Sequence, residues 1–342
     1  ASTTQAVTGT ITVNASSTNA SSTGGIFSGV GGVVTTFGTI TPDSYQMAYS
    51  NGFLYTQTGG TTPSIIKISE VDASETVIAT SFVNGCSGLE CRLTSDGIAV
   101  DSNGNVYVHP LDVSSNPSQS VIKKIVPGTS STPSITIFAG GNQGYAEGNG
   151  INAQFQWSVC MIFDSNGNMF TTDLDRIRKI TPSGDVTTYF EDTDNESLRA
   201  IVFDSNGNLF MSTYSTSRIL KLTPSGSLSV FAGGTDGYRD GNGSNAQFYK
   251  PSKMVIDSND NLYVADSYSR IRKISPSGDV TTLAGPLSQQ ANGMSESGYV
   301  DATGNAARFG WNSSVGVSLA IDSNDNLYVG ERGLRIRKVT TN

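Results

Sequence analysis

Apolar runs long enough to cross a membrane are missing from this 342-residue chain: none approaches the roughly 18 residues of a helical span. No apolar leader opens it, and it starts at Ala1 without a methionine. The expectation is a mature form after signal-peptide cleavage, a trimmed chain being the other reading. Histidine occurs once, at His109 before Pro110, so a zinc centre built from several histidines is excluded. Cysteine is scarce: Cys86, Cys91 and Cys160 form no C-x-x-C pair, which rules out a zinc ribbon. There is no G-x-S-x-G elbow, and the glycines fall between apolar runs rather than in a phosphate-cradling loop ahead of a helix. Basic residues are outnumbered, 21 against 29 acidic, for a net charge of -8. That balance argues against nucleic acid as a partner and against an anionic membrane surface.

What the chain has in quantity is Ser, Thr, Asn and Gly, with charged residues at only 15%. Asn-x-Ser triplets at Asn14, Asn19, Asn195, Asn242 and Asn312 are candidate glycosylation sites and point to a secreted glycoprotein. Cys86 and Cys91 flank a short Gly-containing loop and are expected to close a small disulfide, as suits an extracellular protein. Cys160, in the apolar run VCMIF, reads as an inert buried thiol.

The main signal is an internal repeat. DSNGNVYV at 101, DSNGNMFT at 164, DSNGNLFM at 204 and DSNDNLYV at 257 and 322 are versions of one unit, with YSNGFLYT at 49 a degraded sixth. Alternating Asp and Asn oxygens suggest a calcium loop. Yet an EF-type loop needs Gly at its sixth position, Glu at its twelfth and flanking helices, and none of these is present. Asn-Gly and Asn-Asp between β-branched and aromatic runs are instead hairpin turns, with Asp accepting backbone N–H groups. Each unit continues into a third strand (RIRKI at 176 and 270, RIRKV at 335, RILKL at 218, VIKKI at 121, SIIKI at 64). A fourth follows, as in DVTTYF at 185 and DVTTLAG at 279. Four strands recurring at about 40 to 65 residues predict an all-β fold, a six-bladed β-propeller. The last unit lacks its fourth strand, and VVTTFG at 33–38 is expected to supply it from the other end of the chain, closing the ring.

The D-x-x-G-N-hydrophobic-Y-V-A-D core followed by R-I-x-K-hydrophobic resembles the NHL-repeat propeller family over about residues 30–342. That resemblance implies the six-bladed fold. It spans several functions, since NHL-like propellers serve as protein and RNA readers, extracellular modules and enzymes. The amidoglycolate lyases among them use several metal-binding histidines, which are absent here. Lactonase-like propellers hold a divalent cation near the central channel through Glu, Asp and Asn, types that are plentiful in this chain.

Two repeated features are candidates for function. Lys67, Lys124, Lys179, Lys221, Lys273 and Lys338 occupy one position of the third strands; they are expected to pack their stems between blades and point towards Asp173, Asp266 and Glu331. Insertions between units, GYAEGNGINAQF at 144, GYRDGNGSNAQF at 237 and GYVDATGNAARF at 298, tuck in Ala153 and Phe155, Ala246 and Phe248, and Ala307 and Phe309. They set Tyr145 beside Glu147, Tyr238 beside Asp240 and Tyr299 beside Asp301 on one face. A tyrosine next to a carboxylate suits a glycan or a protein partner, so these six are the candidate ligand-binding residues.

Ahead of the propeller (33–342), residues 1–32 read as an extension with a Ser/Thr/Gly-rich linker. Val7, Ile11 and Val13 mark a lone strand pattern, read either as a disordered tail or the remnant of an upstream domain, or as a strand that adds to a sheet edge or groove of a neighbouring copy. The resulting expectation is a non-enzymatic, extracellular or cell-surface propeller without a cofactor, acting as a binding module or as a structural subunit that self-assembles into filaments. The alternative is a metal-dependent lactonase or hydrolase.

Overall fold

A computed structural model describes residues 32–39, 47–57, 64–80, 91–112, 119–128, 133–156, 158–267, 269–287, 298–310, 317–331 and 335–341. Six small antiparallel sheets make the six blades of a β-propeller. In the first blade the strands run Met47–Ser50, Phe53–Gln57, Ser64–Ser69 and Glu75–Thr80, from the channel outwards. The second has Cys91–Val100, Val106–Asp112, Gln119–Val126 and Ser134–Asn142. The third has Ser158–Phe163, Met169–Asp173, Arg176–Ile180 and Asp185–Glu191. The fourth has Leu198–Phe203, Leu209–Thr213, Arg218–Leu222 and Leu228–Gly233. The fifth has Lys253–Ile256, Leu262–Asp266, Arg270–Ile274 and Asp279–Ala284. The sixth has Val317–Ile321, Leu327–Glu331 and Arg335–Thr340, completed by Val33–Thr39.

That last strand comes from the N-terminal side, as its sequence pattern predicts, and runs one residue further than VVTTFG. Val33 lies opposite Thr340 and Thr35 opposite Lys338, with a bulge between Thr36 and Gly38. Pairing the two ends of the propeller in one blade leaves no open sheet between the first and last units. Alternation along each strand sends apolar side chains into the spaces between blades. Leu209, Met211 and Ile219 of the fourth blade, for example, share one core with Ile177 of the third and Leu262 and Val264 of the fifth. Rings bridge the same spaces edge to face, Phe170 against Phe203 at 4.8 Å and Tyr107 against Phe163 at 5.1 Å.

The repeated turns are closed by their own aspartates. Asp257 Oδ1 accepts the N–H groups of Asn259 (2.9 Å) and Asn261 (2.8 Å), while Oδ2 accepts Asn261 Nδ2 (2.8 Å) and the Tyr263 hydroxyl (3.0 Å). Asp101, Asp164, Asp204 and Asp322 make the same backbone bonds. Oxygens surrounded by N–H and O–H donors are turn acceptors, not a prepared calcium shell. Where three copies place Gly104, Gly167 and Gly207 in the left-handed region, the two DSNDN copies place Asp260 and Asp325 there. These two aspartates reach the preceding blade. Ser205 donates N–H and Oγ–H to Asp260, and Ser258 does so to Asp325.

The six repeated lysines require a correction. Their ammonium groups lie over the second-strand rings of their own blades, at 4.5 to 5.8 Å from the centroids of Phe53, Tyr107, Phe170, Phe210, Tyr263 and Tyr328. They do not serve Asp173, Asp266 or Glu331. Neighbouring residues on a strand face opposite ways, so in the third, fifth and sixth blades the arginine just before the lysine faces the other side and takes these carboxylates. Arg178 meets Asp173 at 3.3 Å, Arg272 meets Asp266 at 3.1 Å and Arg337 meets Glu331 at 3.0 Å.

Candidate functional site

Each insertion is preceded, at the end of an outer strand, by a glycine that no other residue replaces cheaply. Gly140, Gly233 and Gly285 have φ values of +95°, +83° and +105°, and a Cβ on any of them would come within 2.5 Å of a backbone oxygen. Each insertion tucks its alanine and phenylalanine into the core and bonds the outer strand of the next blade. Ala153, Phe155, Ala246, Phe248, Ala307 and Phe309 are all fully buried. In the third and fifth blades the insertion adds a short fifth strand, with Gly148 opposite Val186 and Gly241 opposite Val280.

The predicted tyrosine–carboxylate pairs lie inside this construction. Glu147 Oε1 accepts the Thr188 N–H (2.8 Å) and Tyr145 shares a hydrogen bond with the Thr188 hydroxyl (2.6 Å). The Thr188 bond holds the Glu147 carboxyl below its usual range. Asp240 accepts the N–H (3.1 Å) and hydroxyl (3.0 Å) of Thr282 and Arg272 at 2.7 Å. Asp301 accepts the Thr36 N–H (2.9 Å) and Arg337 Nε (2.8 Å), so this pair fastens the strand that closes the ring. Above them Arg176, Arg270 and Arg335 lie over the rings of Tyr145, Tyr238 and Tyr299 at 4.2, 4.8 and 4.5 Å.

At the centre of each clamp is a buried arginine. Arg178 donates to the carbonyls of Gln154 and Ala146, Arg272 to those of Gln247 and Arg239, and Arg337 to those of Arg308 and Val300. Each also binds the acid ending its second strand. A buried guanidinium that meets two loop carbonyls and a carboxylate is held structurally, although the Nε of Arg178 and of Arg272 finds no acceptor, and removing the arginine would take the cation away from a buried acid. Tyr238 and Asp240 do line an open recess of about 470 Å³ with Arg239, Gln247 and Leu287. The acids of all three pairs are bonded to the blades that follow them.

Other predicted sites fall variously. Asn195 is exposed and in the left-handed region. Asn242 is exposed, but its amide donates to Ser277 O (3.1 Å) and Asp279 Oδ1 (2.9 Å), so a sugar there would displace one of these bonds. Cys160 is buried on the channel wall. Asn14, Asn19, Asn312, Cys86 and the strand marked by Val7, Ile11 and Val13 lie outside the described residues, and with Cys86 the proposed disulfide to Cys91. His109 is fully buried with Nε2 2.9 Å from Ser120 Oγ, and burial pushes its pKa down to about 4.

The central channel encloses about 420 Å³ and is walled by all six innermost strands, with Met47, Ile98, Met161, Ile201, Met254 and Leu319 among the lining. Lys253 is the charged residue of that wall. Among the described residues no three of His, Cys, Asp or Glu gather as metal ligands. Among the described residues this apolar wall with its one ammonium supplies no set of carboxylates for a divalent cation.

A second opening was not anticipated from the sequence. Between the third and fourth blades, on the face of the insertions, lies a cleft of about 620 Å³ lined by Gln156, Leu174, Arg176, Asn195, Ser197 and Arg199, among others. Blade four is preceded by the short link 192–197 instead of an insertion, and the cleft lies beside that link. A signal for it was available: only the copies with R-I-R third strands carry the insertion, and blade four reads R-I-L.

No family model matches the chain, and no curated protein matches its sequence. Solved structures do. A protein of unknown function from Bacteroides thetaiotaomicron is 17% identical with a TM-score of 0.67, over 90% of this chain and 76% of that one. An auxiliary nutrient binding protein from Bacteroides ovatus is 19% identical with a TM-score of 0.65, over 91% and 77%. A protein described as a candidate gluconolactonase is 10% identical with a TM-score of 0.56, over 92% and 93%. The likeness is one of fold, the six-bladed β-propeller. At these identities it assigns no activity, and binding proteins and enzymes both stand among the neighbours.

Proposed function

We propose that this chain is a non-enzymatic, exported binding module of NHL-like repeats that captures its ligand on the insertion face. The observation that carries the reading is the cleft between the third and fourth blades. It combines amides, hydroxyls and guanidinium groups with the exposed Leu174, the mixture of apolar surface and placed polar groups that ligand sites share. Support comes from the nutrient-binding description of one neighbour of this fold and from the scarcity of groups suited to catalysis along the apolar channel.

The test is capture of glycans and peptides on arrays, followed by competition with Gln156→Trp. Gln156 is exposed at the cleft wall, so the indole would fill the opening without disturbing the core. Capture that is lost in this variant, at an unchanged melting temperature, is the expected result. Capture indifferent to Gln156→Trp would contradict the reading.

A further inference from the structure

Several cations of this acidic chain are matched to carboxylates. Arg178, Arg272 and Arg337 are buried against carboxylates, Arg176 bonds Asp175 and Glu191, and Arg218 bonds Glu196. Arg199, on the wall of the cleft, and Lys250 are half-buried and meet over one tyrosine instead. The Arg199 guanidinium lies 4.8 Å from the centroid of Tyr214, and Lys250 Nζ lies 4.9 Å from the same centroid and 5.3 Å from that of Tyr249. Neither reaches a carboxylate within ion-pair distance among the described residues. Asp236, the acid that acts on Lys250, spends Oδ1 on the Ser217 hydroxyl at 2.6 Å.

Lys250 is also held in place. Its backbone sits in the left-handed region at φ 51°, its N–H donates to Ser217 Oγ (3.0 Å) and its carbonyl accepts Ser267 Oγ (2.8 Å). A non-glycine residue kept in that region by flanking bonds is a fixed element, and such positions concentrate at functional sites. Arg199 lines the cleft and precedes Ala200, a residue of the channel wall, and Lys250 shares the Tyr214 ring with it.

Two positive groups converging on one tyrosine repel each other and gain from an anion close to both. Tyr214 and Tyr249 add ring surface, and Ser197, Asn195 and Gln156 add donors and acceptors for hydroxyls. Resting on the binding reading above, we infer that Arg199, Lys250, Tyr214 and Tyr249 form the anchor for a carboxylate-bearing sugar, a hexuronate unit of an acidic glycan. The guanidinium and ammonium take the carboxylate, and the rings lie against the sugar.

The experiment is calorimetric titration of the whole chain with an oligogalacturonate and with its methyl ester, which keeps the ring and removes the charge. The acid should bind and the ester should bind at least tenfold more weakly. Arg199→Ala with Lys250→Ala should lower affinity for the acid by about tenfold or more, while Arg199→Lys with Lys250→Arg should retain binding. Salt that shrinks the Debye length from about 10 Å to about 3 Å should weaken it as well. Equal binding of acid and ester, no binding of either, or an unmoved double-alanine variant would overturn the anchor. So would a preference for sulfated or phosphorylated sugars. The binding reading fails separately: any other ligand captured and then lost in Gln156→Trp leaves it standing while this anchor falls.

Discussion

Blades four and five are built from nearly the same repeat and differ in one device. Blade five has Arg272 on its third strand, Asp266 at the end of its second and an insertion laid against its outer strand. Blade four has Leu220 and Thr213 at these positions and the short link 192–197 before it. The outer strands record the consequence. Val280 of blade five is 1% exposed beneath Gly241, as Val186 of blade three is beneath Gly148, whereas Leu228 and Val230 of blade four are 45% and 48% exposed. Arginine, acid and insertion therefore act as a unit. Where the unit is missing, the propeller leaves an uncovered edge on the outside and an open cleft above.

The largest effect should come from breaking the clamp. Arg272→Met strands Asp266, which is wholly buried, and should cost about 3–5 kcal/mol by urea unfolding. Leu220→Met at the matching place in blade four should cost less than about 1.5 kcal/mol. Equal losses would erase the distinction between the two blades.

Two titrations sharpen it further, because a clamped acid and a buried histidine tilt stability in opposite directions. Burial outweighs the Arg337 guanidinium and the Gly310 N–H at Glu331 and pushes its pKa up to about 7 from 4.5. The folded chain then holds this proton more tightly than the unfolded one, so stability rises as pH falls from about 7 to 4.5. His109 is shifted from 6.5 down to about 4, the unfolded chain protonates first, and stability is lost as pH falls through that interval. Each contribution is at most about 3 kcal/mol. Glu331→Gln should leave a chain that loses stability more steeply in acid, and His109→Gln one that loses it less. Parallel pH profiles for parent and variants would refute both assignments.

A smaller change is expected from Thr282→Val. It removes the hydroxyl that donates to Asp240 and keeps the N–H, for a loss of about 1 kcal/mol in thermal unfolding. The matching Val230, already apolar and uncovered in blade four, should be replaceable by Thr with less effect.

The ring itself was legible because its signals are local. Turn residues, strand alternation and the Lys spacing all fall within one unit, and even the closing strand is recognisable as the fourth strand the last unit lacks. What the tyrosine–carboxylate pairs do was not legible, because their partners lie far along the chain. Glu147 meets Thr188, Asp240 meets Arg272 and Asp301 meets Thr36, across separations of 41, 32 and 265 residues. The three tyrosines are exposed as their sequence suggests, while the acids beside them also bond the blade that follows. The alternating strand R-I-R-K-I hid the same fact, since a charged residue in a half-polar strand reads as solvent-facing. Arg178, Arg272 and Arg337 are instead among the most deeply buried side chains in the molecule. Arg199, Tyr214 and Lys250 were passed over because they belong to no repeat, and only the fold brings them together.

Hydrogen exchange of the outer strands tests the clamp most directly. In the parent chain the amides of Leu228–Gly233 should exchange faster than those of Asp185–Glu191 and Asp279–Ala284. In Arg272→Met the segment Asp279–Ala284 should rise to the level of Leu228–Gly233 while Asp185–Glu191 keeps its protection. Equal protection of all three strands in the parent, or an Arg272→Met chain whose Asp279–Ala284 amides remain as protected as before, would contradict the claim that these insertions are structural clamps.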